Sequence, residues 1–139
     1  MSRDGALSEK SVAFAIRIVK LFQYLESEKK EYVLSKQMLR SGTSIGANVR
    51  EAIYGQSQRD FLAKMSIALK EAVETEYWLE LLSATDYLTE EQYTSIRADC
   101  GEIARLLTAT VKKLRQKQLF TVICSLLTAR RGRGALNSG

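Results

Sequence analysis

The chain contains no proline and no histidine, and only two cysteines, in 139 residues. Without proline nothing interrupts a long helix, and all-β folds lose one of their common turn residues. Without histidine the most frequent general base is missing, and so are the Glu-x-x-His motifs of di-iron four-helix proteins. Glu51, Glu71, Glu74 and Glu76 therefore do not read as metal ligands. Cys100 and Cys124 are too few for a disulfide framework, fit reduced thiols, and have no recognisable activating partner. The longest apolar run, Leu119 to Ala129, is about half of the ~20 residues a membrane helix needs. Arg3-Asp4-Gly5 leads straight into an amphipathic pattern, unlike a signal peptide. These absences predict a soluble, cytoplasmic, single-domain protein with no catalytic residue, no metal, no cofactor and no membrane partner.

Acidic residues are missing from one end only. Residues 105–139 hold Arg105, Lys112, Lys113, Arg115, Lys117, Arg130, Arg131 and Arg133 and no acid, a charge of +8. Residues 1–104 hold the other 13 bases and all 16 acids, a charge of −3, so the chain carries +5. A basic end on a mildly acidic body suits a polyanion partner, or serves as a solubilising tail.

What is present is helical periodicity. Residues 8–27 carry two apolar rows, Val12, Ile16 and Val19 in one and Phe14, Ile18, Leu21 and Leu25 in the other. One stripe about 100° wide is enough for a helix on one core, so the second row calls for another subunit as cover. Ser35 is the expected N-cap of a second helix reaching about Tyr54, with Leu34, Met38, Ser41, Ile45, Val49 and Ala52 facing inward. Ser57-Gln58-Arg59-Asp60 opens a third helix that runs to about Ala84, with Phe61, Met65, Ala68, Leu69, Ala72, Leu79 and Leu82 inward. Thr89-Glu90-Glu91-Gln92 opens a fourth, whose inward positions step by threes and fours through Tyr93, Ile96, Cys100, Ile103, Leu107, Thr110 and Leu114. Short connections predict an all-α, antiparallel up-down-up-down four-helix bundle over residues 1–118. Residues 119–139 read as a short apolar extension followed, from Arg130, by a disordered basic tail.

The second helix carries an unusual run, Arg40-Ser41-Gly42-Thr43-Ser44-Ile45-Gly46-Ala47-Asn48. Gly42 and Gly46 each cost roughly 1 kcal/mol against alanine in a helix interior, so close contact with a neighbouring helix should compensate. Together with Asp60-Phe61, Lys64-Met65-Ser66-Ile67-Ala68-Leu69-Lys70-Glu71-Ala72 and Glu74-Thr75-Glu76-Tyr77-Trp78-Leu79, this run resembles the bacterial four-helix bundle protein family. That family includes proteins encoded in intervening sequences of large-subunit ribosomal RNA genes. It also includes the accessory variability determinant that assists reverse transcriptases in diversity-generating retroelements. The resemblance spans about residues 10–116 and implies a ring-like homopentamer without known catalytic residues. Similar sequences often have Glu-Gly where this chain has Glu51-Ala52, and residues after Gln116 lie outside the family pattern.

Two surfaces emerge as candidate sites. Arg40, Ser44, Asn48 and Glu51 share one face of the second helix and form either a recognition surface or a polar seam between helices or subunits. Glu76 falls on the apolar row of the third helix and needs a buried partner, with Arg40 the first candidate and Tyr77 or Trp78 of another subunit the alternatives, unless a slight rotation places Thr75 inward and leaves Glu76 wet. Tyr77 and Trp78 read as core or interface aromatics ahead of base-stacking platforms. The basic face of the fourth helix, Arg105, Lys112, Lys113, Arg115 and Lys117, is the candidate nucleic-acid interface, with Arg130, Arg131 and Arg133 adding to it. The expected function is a non-enzymatic oligomeric adaptor for structured RNA or DNA, working beside a nucleic-acid enzyme such as a reverse transcriptase. An oligomeric protein-interaction scaffold, with the basic face merely solvated, is the alternative.

Overall fold

The computed structural model describes residues 3–135. Among them are four helices and no strand: α1 (Arg3–Ser27), α2 (Leu34–Ile53), α3 (Gln58–Ala84) and α4 (Glu90–Ala135). Each helix packs on the next in the chain, α1 also packs on α4, and the diagonal pairs stay apart. The result is a four-helix bundle around one core.

The apolar rows build that core as their spacing dictates. Phe14, Ile18 and Leu25 of α1, Met38, Ile45 and Val49 of α2, Met65, Leu79 and Leu82 of α3, and Ile96, Ile103 and Leu107 of α4 are all buried. Gly42 lets α1 and α2 approach closely, since a Cβ there would lie 2.8 Å from Ile18 Cγ2. Gly46 faces Ser11 of α1 with ordinary spacing, 3.4 Å from its carbonyl oxygen. Polar ties join two of the other pairs. Arg40 meets Glu71 and Glu74, and Lys64 meets Glu51, linking α2 to α3. Lys10 meets Glu102, and Arg17 meets Asp99 and Ser95, linking α1 to α4.

The helix ends follow local chemistry. Ser57 caps α3 by accepting from the Asp60 N–H, and Thr89 with Gln92 forms a reciprocal capping box at α4. Ser35 is not the cap expected for α2. It lies inside the first turn, fully buried, and Glu31 takes the capping role from the connection. One Glu31 carboxylate oxygen accepts from the Val33 and Leu34 N–H groups, the other from Ser35 N–H at 2.6 Å. Three orphan donors are thereby satisfied at once, more than a serine could manage.

α4 differs most from expectation. It continues as one helix of 46 residues to Ala135, about 69 Å long, where a disordered tail was expected from Arg130. Every residue from Gln118 to Arg133 is exposed, so this part projects beyond the bundle. Residues 136–139 of the expected tail lie outside the described residues.

Candidate functional site

All eight bases proposed for polyanion binding lie on α4. Arg105, Lys112, Lys113, Arg115 and Lys117 stand on or beside the bundle, and Arg130, Arg131 and Arg133 on its projection, all exposed. None forms an ion pair among the described residues. From Arg105 to Arg133 the row spans about 42 Å. At ~100° per residue, Arg105, Lys112, Arg115, Arg130 and Arg133 share one side, while Lys113, Lys117 and Arg131 flank it. The set is therefore a rail of two adjoining strips.

Arg97 was missed in the sequence and belongs with this rail. It sits eight residues before Arg105 in the same helical row, with Gly101 between them, and its guanidinium lies 5.6 Å from the Tyr93 ring centroid. Glu76 and Arg105 both reach the notch at Gly101, 3.9 Å and 3.4 Å from the position a Cβ would take. The four-residue spacing was the available signal, and Arg97 went unnoticed because acidic residues surround it in the chain.

The polar face of α2 separates into two kinds of group. Arg40 and Glu51 reach across to α3, whereas the Ser44 hydroxyl donates to the Arg40 carbonyl and the Asn48 amide to the Ser44 carbonyl within α2. Glu76 has no ion pair among the described residues, and Arg40 binds Glu71 and Glu74 instead. The cause is the rotation of α3. Thr75 takes the inward position, fully buried, and its hydroxyl lies 2.8 Å from that of Ser41 and 2.7 Å from the Glu71 carbonyl. Tyr77 and Trp78 meet edge to face at 5.0 Å, Tyr77 exposed and Trp78 half-buried.

A second candidate surface is apolar. The Val12, Ile16 and Val19 row of α1 is uncovered, with Ile16 51% exposed. With Gly46 and Ala47 of α2 it lines an open groove of about 490 Å³. Burial pushes the Cys100 thiol up to about 12, helped by the carboxylates of Glu76 and Asp99, so this thiol is inert at neutral pH. Among the described residues no three metal-ligating side chains converge. No helix among them is long and apolar enough to cross a membrane.

Comparison with known proteins adds a family and a close structural relative. A family model described as 23S rRNA-intervening sequence protein matches residues 3–109. A crystal structure from Bacteroides thetaiotaomicron, described as a protein with unknown function from the S23 ribosomal protein family, is 58% identical. The match covers 80% of this chain and 99% of that one, with a TM-score of 0.79. No curated protein matches. The projecting end of α4 lies beyond the family match.

Proposed function

Because the chain belongs to the 23S rRNA-intervening sequence protein family, we propose that it is a non-enzymatic oligomeric adaptor that binds structured RNA or DNA through the outer face of α4. The observation that carries this reading is the rail of eight exposed bases with no acid after Glu102 and no ion pair among the described residues. A phosphate backbone is the partner that many unpaired cations in line suit best, because each contact releases condensed counterions. No base-reading motif accompanies the rail, so recognition is by charge and shape.

The bundle is read as antiparallel, up-down-up-down. In support, tied residues run in opposite order along partner helices, Arg40 and Glu51 against Glu71 and Lys64, Lys10 and Arg17 against Glu102 and Asp99. The assembly is read as a homopentameric ring whose subunits cover the α1 row at Val12, Ile16 and Val19. Such a ring would repeat the α4 rail around its circumference.

The test is Lys112, Lys113 and Arg115 replaced together by glutamine. Affinity for structured ribosomal RNA should fall about equally across sequences, and the slope of log affinity against log salt should flatten by roughly three units per protomer engaged. Unchanged affinity and slope would mean a solvated face and would favour the protein-scaffold reading.

A further inference from the structure

Beyond the bundle, α4 carries a second, apolar pattern on the side of the helix that the rail also occupies, between Lys117 and Arg130. Leu119, Phe120, Val122, Ile123, Leu126 and Leu127 are between 46% and 68% exposed. At ~100° per residue they occupy an arc of about 160°. The row of α4 that faces the bundle, from Ile96 through Cys100, Ile103, Leu107 and Thr110, continues by threes and fours through Leu114 to Gln118, Thr121, Ser125 and Thr128. That continuation is polar, and the apolar arc lies roughly 150° away from it. The arc therefore points away from the chain's own core. Six large apolar side chains held in water on one side of a helix mark an interaction surface.

Charge narrows the occupant. Residues 118–129 contain no charged side chain, and the residues bracketing them, from Lys112 to Lys117 and from Arg130 to Arg133, are charged only positively. A second copy of the helix would meet base with base at both ends, whether the two ran parallel or antiparallel. RNA would offer the arc nothing but base faces, and Phe120 is its sole aromatic. The back of the helix is neutral Gln118, Thr121, Ser125 and Thr128. A broad apolar arc of bulky side chains with cationic residues at both of its ends suits a helix lying in the plane of an anionic bilayer, its bases at headgroup level. The long stems of Lys112, Arg115, Arg130 and Arg133 can lie along the apolar surface while their charges reach the headgroups.

We propose that the projecting end of α4 docks on anionic lipid surfaces, its apolar arc in the headgroup–acyl boundary and its flanking bases on the lipid phosphates. A membrane surface thus enters as a partner where the sequence predicted none; the apolar run is too short to span a bilayer, but docking needs one apolar face only. The docking surface shares Lys112, Arg115, Arg130 and Arg133 with the rail and adds the apolar arc between them, which takes no part in phosphate binding.

The experiment is flotation of the full-length chain with vesicles of equal parts phosphatidylglycerol and phosphatidylcholine, and with phosphatidylcholine alone. Cys124, the exposed thiol, carries an environment-sensitive dye, while Cys100 is buried. The chain should float with the anionic vesicles at physiological salt, with a blue shift of the dye, and stay unbound with the neutral ones. Ile123→Ser, Leu126→Ser and Leu127→Ser together keep every charge and remove half of the arc. They should weaken vesicle binding by more than about tenfold, because apolar burial supplies what charge alone does not, and leave RNA affinity unchanged. No flotation of the parent chain would overturn the proposal, and equal flotation of the variant would reduce it to a charge effect and overturn it too. So would a larger assembly for the parent than for the variant without lipid, which would assign the arc to a second copy.

Discussion

Among the described residues, Thr75 and Ser41 hold the one buried side-chain hydrogen bond between α2 and α3, which the rotation of α3 brings together. Thr75→Val keeps the shape and removes the hydroxyl, so it should cost about 1 kcal/mol, read as a lowered denaturant midpoint. Glu76→Ala, by contrast, should stay within ~0.5 kcal/mol of the parent, because a half-exposed carboxylate without an ion pair contributes little. A large loss at Glu76 would contradict the rotation. Glu31 offers a pH test. Burial alone would raise its pKa, but the N–H groups of Ser35, Leu34 and Val33 outweigh burial and hold its carboxyl below the ordinary 4.5. A depressed folded value means stability that is full above pH 4.5 and lost as pH falls through the folded value. Glu31→Gln should therefore be less stable than the parent near neutrality, by about 1 kcal/mol, and the gap should close in acid below pH 4.5. A gap constant with pH would show that charge at Glu31 is irrelevant.

At the scale of elements, α2 depends on close approach to α1. Gly42→Ala gains roughly 1 kcal/mol of helix propensity but drives a methyl into Ile18, which is buried and branched at Cβ, at a cost of about 1–3 kcal/mol. The net should be destabilising, while Gly46→Ala, with ordinary spacing to Ser11, should be neutral or stabilising. Thermal midpoints of the two variants in parallel decide it. The helices and their inward rows were legible because each core row repeats at three and four residues and because Ser57 and Thr89 sit where capping boxes belong. Glu31 was not legible as a cap, since its carboxylate reaches forward across an irregular connection that no periodicity marks. The helical projection of α4 was hidden for the opposite reason. Its apolar residues fall off the bundle register, so the heptad reading stops where a second amphipathic pattern, turned to the other side, begins. Thr75 in place of Glu76 is a rotation of a fraction of a turn, smaller than a row of spacings can resolve.

For the whole molecule, the uncovered α1 row and the α4 rail belong to one account, in which assembly multiplies a basic surface. Ile16 is exposed in the protomer, so Ile16→Asp should leave protomer folding intact and abolish assembly, giving a monomer by light scattering where the parent gives a higher mass. The central claim is that the assembled rails bind a phosphate backbone together. The most direct measurement is the slope of log affinity against log salt for a structured ribosomal RNA fragment, parent against Ile16→Asp. A single rail of eight bases with Arg97 limits the monomer's slope to about −8, and rails acting together should make the parent's at least about twice as steep as the monomer's. Equal slopes for the two proteins, or a parent whose affinity ignores salt, would contradict the account.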